Sequence, residues 1–163
     1  MRILAFLQNP SIHHISLTTD IERYATDVVF RREVMARSQT GGRLIVAWGK
    51  NWFDYVHWDN VSTNPGDYDL KRSVVGNRKH CVDAILEVNP HIVVTYGTYA
   101  KNTIDRINIY ATDIVVFNFR HPSAWGITSQ ELKRDADLVK IWVRKYISSQ
   151  DRPVLEKLLG CSI

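Results

Sequence analysis

The chain has 163 residues and a mass of 18.8 kDa, with 45% hydrophobic and 23% charged residues, which suits one domain with a real core and excludes a disordered chain. Lys and Arg number 21 against 17 Asp and Glu, a net charge of +4 with a pI near 9.1, which permits a polyanionic partner without requiring one. No stretch approaches the roughly 20 apolar residues of a membrane span, and two cysteines, Cys81 and Cys161, are too few for a disulfide framework or a cysteine-built metal site.

The apolar run at the N-terminus is shorter than the roughly 7–15 residues of a secretory h-region. No secretion signal is therefore expected, and the expected compartment is the cytoplasm, or wherever the chain's partner resides.

In chain order, Ile3–Leu7 is a continuous apolar run and predicts a buried strand, stopped at Asn9-Pro10-Ser11. Ile21, Tyr24, Val28, Val34 and Met35 recur at helical spacing and predict a helix from about Asp20 to Arg37, with Asp20 as its cap. Thr40-Gly41-Gly42 is expected to break it, and a helical piece over Leu44–Trp52 follows, weakened by Gly49. Tyr55–Trp58 reads as a second strand ending at Asp59-Asn60, and Ser62–Asp69 as a turn-rich loop.

Asn77–Glu87 reads as a helix ended by Asn89-Pro90. Ile92–Tyr96 is a third strand, Gly97 turns the chain into a short helix at Tyr99–Ile104, and Ile114–Phe119 is a fourth strand stopping at His121-Pro122-Ser123. Gln130–Tyr146 is a strong helix, and Pro153–Leu159 a short one. The alternation predicts an α/β fold: one domain over residues 1–163, a three-layer sandwich around a four-stranded, mainly parallel sheet. In such a sheet the carboxyl ends of the strands share one rim, where ligands bind. Asn9, Asn60, Gly97 and His121 each fall there, so three hydrogen-bonding side chains would line one cleft.

Five segments, in this order, resemble the uracil-DNA glycosylase superfamily. ILAFLQNPS (3–11) is similar to that family's strand and G-x-[N/D]-P motif, and TGGRL (40–44) to its S-G-R-L turn. YVHWDNVS (55–62) is similar to a strand ending in T-N-V, NPHIVVTYGTYA (89–100) to a strand and G-x-x-A turn, and VVFNFRHPSAW (115–125) to the H-P-S loop. The resemblance spans about Ile3 to Ile127. It implies an enzyme, a monofunctional pyrimidine-DNA N-glycosylase, that flips a nucleotide into a fitted pocket and hydrolyses its glycosidic bond without a cofactor or metal.

Carried over residue by residue, the resemblance makes Asn9 and His121 the catalytic pair. His121 would donate a hydrogen bond to the base O2 as negative charge develops, a task a neutral imidazole performs. Asn9 would position the attacking water, since an amide is no strong base. Asn60 would read the Watson–Crick edge of a uracil-like base with its donor and acceptor, and Gln8 would add main-chain contacts. Phe30 or Tyr24 would stack on the base. Ser11, Arg120, Ser123 and Trp125 would meet DNA, Ser123 at a phosphate and Trp125 as a wedge in the stack. Lys71, Arg72, Arg78 and Lys79 would line its path. The partners implied are double- or single-stranded DNA and a flipped pyrimidine, with no membrane, and the chain is expected to act as a monomer.

The sequence departs from the family at Leu7, where glycine is usual, and at Ser11, where some members carry a tyrosine that blocks the thymine methyl. The expected pocket therefore tolerates C5-substituted pyrimidines. Of the iron–sulfur branch's four cysteines only Cys81 has a counterpart, so no cluster is expected.

Each residue also has a plainer role. Asn9 and Asn60 are common turn formers, and His121 alone would be a loop histidine. Adjacent His13-His14 lack a third ligand, and Asp54, Asp59 and Asp113 read as solvated caps at turns and strand starts. Trp48, Trp52, Trp58 and Trp142 read as core, with Trp125 the exception. Two rivals remain: a non-catalytic or altered relative that binds a base or DNA in base modification, and a nucleosidase acting on free nucleosides, which needs no wedge.

Overall fold

The computed structural model describes residues 1–8, 23–24, 27–62, 76–107, 109 and 112–146. Asn9, Pro10, Ser11, His13, His14, Asp20, Lys71, Arg72, most of the Ser62–Asp69 loop, the Pro153–Leu159 segment and Cys161 lie outside them.

Four strands, β1 (Ile3–Leu7), β2 (His57–Asn60), β3 (Ile92–Tyr96) and β4 (Val115–Phe119), form one sheet in the order β2-β1-β3-β4, and every neighbouring pair is parallel. Every residue of β1 and β3 is buried, as expected for central strands of a sheet covered on both faces. Alternation sorts their side chains. Ile3, Ala5, Leu7, Ile92, Val94 and Tyr96 face one core, and Leu4, Phe6 and Val93 face the other.

The first core is closed by α2 (Gln39–Trp48), α3 (Lys50–Tyr55) and α6 (Ser129–Tyr146), and the second by α4 (Arg78–Val88) and α5 (Thr98–Asp105). The result is the expected three-layer α/β sandwich. α1 (Val28–Ala36) packs against α2 and β2. Trp48, Trp52 and Trp58 belong to the first core, where the Trp48 indole donates to the Tyr96 hydroxyl at 2.8 Å. Trp142 is half-buried against the same core. No described helix is long and apolar enough to cross a membrane.

Three boundaries differ from the sequence-based expectation. α1 begins at Val28, where Asp27 caps it, its carboxylate accepting from the Val29 and Phe30 N–H groups at 2.9 and 3.0 Å. Thr40-Gly41-Gly42 does not break the chain but forms the first turn of α2, capped by Ser38. Gly41 is there because its backbone runs against α1: a Cβ at that position would lie 2.0 Å from the Met35 carbonyl oxygen. The expected Leu44–Trp52 helix is instead two helices, α2 and α3, that meet at Gly49.

The second strand is shifted. It covers His57–Asn60 rather than Tyr55–Trp58, in register with β1 from Leu4↔His57 to Leu7↔Asn60. Asp59 and Asn60 therefore lie within the sheet instead of ending it. The remaining strands and helices that lie within the described residues fall within a residue or two of their expected bounds.

Candidate functional site

With all four strands parallel, their carboxyl ends form one rim, and the chain leaves it at Gln8, Val61, Gly97 and Arg120. The segments behind the resemblance meet there. The β1–β2 pairing continues past the strands, as Val61 N–H donates to Leu7 O at 2.9 Å and Ser62 N–H to Gln8 O at 3.1 Å. The Gln8 carbonyl is thereby engaged within the fold. Gly97 N–H donates to Phe119 O at 2.8 Å, which sets the β3 turn beside the His121 loop.

At the β4 end the site is built around His121. Gly97 has φ +92°, and a Cβ there would stand 3.1 Å from His121 Cβ and 3.6 Å from its Cδ2. The glycine is what allows the imidazole to lie over the β3 turn. Burial pushes the His121 pKa down to about 4, so the ring is neutral at physiological pH. Its Nδ1 accepts the Ser123 N–H at 3.2 Å, so the neutral ring carries its proton on Nε2.

TGGRL holds this loop. Arg43 donates to the Pro122 carbonyl and, at 2.5 Å, to the Ile127 carbonyl, and the Thr40 and Ser123 hydroxyls lie 2.6 Å apart. Arg120 donates to the Trp125 carbonyl at 2.9 Å and stands 3.8 Å from Glu131. Trp125 itself is 96% exposed, an indole held out into solvent by a loop bonded on both flanks.

The β2 end is charged. Asp59 is buried in the sheet, where Oδ1 accepts from Arg31 Nη1 at 2.6 Å and from the Asn60 N–H at 2.8 Å. His80 Nε2 lies 3.2 Å from Asp59 Oδ2. The Asp59 carboxylate, and with it the Asn60 carbonyl, pushes the His80 pKa up against the opposing pull of burial. Burial pushes the Tyr24 hydroxyl up in pKa, with the Arg31 charge and the Asn60 amide pulling the other way. Arg31 Nε also donates to the Tyr24 carbonyl at 3.1 Å, tying that residue to the end of β2.

His80 is brought here by its helix start. Asn77 N–H donates to Val61 O at 2.6 Å while its Oδ1 caps α4 by accepting the His80 N–H at 3.0 Å.

Gln8, Asn60, Arg120, His121, Ser123 and Trp125 thus share a rim. With strands about 4.8 Å apart, β2 and β4 stand about 14 Å apart, so Asn60 and His121 approach it from opposite edges. Phe30 lies on α1 with the Arg23 guanidinium 4.4 Å above its ring. Arg78 and Lys79 begin α4, where Arg78 donates to the Arg106 carbonyl and Lys79 pairs with Asp83 at 2.6 Å.

Asp59 corrects the expectation of a solvated cap: it is a buried strand acid that faces Arg31 and His80. Sequence reasoning missed Arg31, His80 and Arg43. Only Arg43 carried a signal, its place in TGGRL. Cys81 is buried, its thiol pushed up to about 12 by burial, so it is no nucleophile at physiological pH. Among the described residues no three His, Cys, Asp or Glu side chains gather as metal ligands.

No family model, curated protein or solved structure matches the chain.

Proposed function

We propose that the protein is a DNA glycosylase-like hydrolase that removes uracil or a C5-modified pyrimidine from DNA by base flipping. The observation that carries this is His121: a desolvated, neutral imidazole with its proton on Nε2, on the same rim as the Asn60 amide. A flipped pyrimidine spanning the two would lie over the ends of β1 and β3, with O2 toward His121 and N3–H/O4 toward Asn60. As the C1′–N1 bond breaks, its electron pair moves onto the base, and the Nε2–H stabilises the charge that develops at O2. Water then bonds to C1′ of the oxocarbenium-like sugar and gives up one proton, which neutralises the departing base anion, with Asn9 as the water's positioning group.

Trp125 supports duplex DNA over a free nucleoside. A fully exposed indole on a braced loop is suited to fill the gap left by an extruded base, and a nucleosidase has no use for one. Ser123, joined to Thr40 at the start of α2, is the loop's contact for phosphate.

The decisive experiment incubates the protein with duplexes carrying uracil, thymine, 5-hydroxymethyluracil or cytosine at one position and looks for abasic sites. Strand scission at the uracil or C5-modified position, lost in His121→Leu, is the expected result. Base-selective binding without abasic sites would favour the second reading, a base-binding module without hydrolysis. That reading draws on Asp59, the acidic group beside Asn60, being committed to Arg31 and His80 rather than free to activate water. Loss of all base preference would refute both.

A further inference from the structure

The two outer strands of the sheet are finished differently. β2 has only four residues, and α1 packs against it. It also carries the charged frame around Asn60, in which the buried Asp59 faces Arg31 and His80, and inward charge of that kind keeps a foreign strand from joining. β4 has neither defence. It reads Val-Val-Phe-Asn-Phe, without charge or proline, and each of its residues is at least partly exposed, while every residue of β1 and β3 is buried. Among the described residues no strand pairs with its outer side.

The ladder to β3 shows which peptide groups are left over. Val115 N–H donates to His91 O at 3.0 Å, and Phe119 O accepts from Gly97 N–H at 2.8 Å. Residues 115, 117 and 119 therefore turn their peptide groups toward β3, and by alternation Val116 and Asn118 turn theirs outward. An apolar edge with outward N–H and C=O groups is a template for one more strand.

The strand that fits is a second β4, run antiparallel about a two-fold axis at Phe117. The outward residues then meet: Val116 lies opposite the partner's Asn118, and Asn118 opposite the partner's Val116, each pair exchanging two N–H···O bonds. Phe117 falls at a position without hydrogen bonds, where side chains come closest, and meets the partner's Phe117. Phe117 and Phe119 pack on the first core and Val116 on the second, and this register keeps each set on its own face across the joint. The charges agree too. Asp113 precedes the strand and Arg120 follows it, both exposed and roughly 20 Å apart along an extended chain. Antiparallel pairing brings each Asp113 beside the partner's Arg120, whereas a parallel partner would set like charge against like.

We propose that the protein forms a homodimer joined edge to edge through β4, two four-stranded sheets becoming one of eight, in place of the monomer expected from the sequence. The two rims then face opposite ends of the joined sheet, and the joint stands or falls independently of the base chemistry proposed above.

The test follows mass by analytical ultracentrifugation from dilute to millimolar protein, with amide hydrogen exchange on the same samples. A species of about twice 18.8 kDa that dissociates on dilution is expected, with the Val116 and Asn118 amides protected in the dimer and unprotected in the dilute monomer. Val116→Pro removes an N–H that the monomer's ladder does not use, and Asn118→Lys places a charge at an exposed edge position. Each should raise the dissociation constant by about tenfold or more while circular dichroism stays native.

A wild type that stays monomeric at millimolar concentration overturns the proposal. So does a dimer that survives in both folded variants, since it is then joined elsewhere. Protection of Val116 and Asn118 in a dilute monomer overturns it as well, because the edge is then covered by the same chain.

Discussion

The two edges of the rim each hold a histidine, and the two are treated in opposite ways. At the β4 edge His121 is desolvated with no carboxylate partner among the described residues, and its pKa falls to about 4. At the β2 edge His80 faces Asp59, and its pKa rises despite being partly buried. The same side chain is thereby held neutral at one edge and shifted toward its protonated form beside a carboxylate at the other. The environment that sets them apart is the presence or absence of one carboxylate. The β4 edge is suited to meeting charge that develops on a substrate, the β2 edge to holding a neighbour still.

The largest expected effect tests the β4 edge. His121→Leu should lower abasic-site formation by about 10²–10³-fold, the range for losing one preorganised donor to a developing anion. Its thermal midpoint should fall only slightly, because an uncharged, desolvated ring is replaced by an apolar side chain of similar bulk and the bond lost, from the Ser123 N–H to Nδ1, is a single exposed one. The same change at the β2 edge should do the reverse. Asp59→Ala strands Arg31 and His80 beside each other in a poorly solvated site, and about 3 kcal/mol of stability should be lost in denaturant titration. If Asp59→Ala proves as stable as wild type, the charged frame is ornamental and the contrast between the edges fails.

Gly97→Ala is a smaller perturbation aimed at the join between β3 and the His121 loop. The backbone at φ +92° suits only glycine, and the added methyl would meet His121 Cβ at 3.1 Å. About 1–3 kcal/mol of strain is expected in the melt. Activity should fall by more than that loss explains, since the ring is displaced too. Trp125→Ala should be smaller still in stability, within about 0.5 kcal/mol, because its ring touches solvent. Duplex cleavage should nevertheless drop by roughly tenfold. Unaltered cleavage would remove the wedge and favour a free nucleoside as substrate.

How much of this was legible in the residues depends on whether the signal was local. The apolar runs of β1 and β3 announce themselves, because strands buried on both faces have no polar alternation to obscure them. The β2 strand was misplaced by two residues because Asp59 and Asn60 look like a turn. Their burial depends on Arg31 and His80, which lie 28 and 21 residues away from Asp59 in the chain. Gly41-Gly42 misled for a related reason. Gly41 answers to a helix packed behind it, not to a change of direction. The rim itself was readable, since parallel strands require it. The frame around Asn60 was not, since ion pairs between distant residues leave no periodicity to read.

The finest probe of the contrast is titration of the two histidines by NMR of their ring protons. His121 should stay neutral from pH 8 down to about pH 5 and gain its proton only near pH 4. Because its unfolded pKa is near 6.5, the unfolded chain binds a proton first, and His121 therefore subtracts stability progressively as pH falls from about 6.5 toward 4. His80 has the opposite sign. Its folded pKa is raised, so its contribution is fully present below about 6.5 and is lost as pH rises through the folded value. The two effects bend the stability curve from opposite sides, and Asp59→Asn should remove only the alkaline one by returning His80 toward or below its ordinary pKa. A His80 that titrates normally in wild type would mean that the carboxylate 3.2 Å away does not govern it, and the two edges would then differ in burial alone.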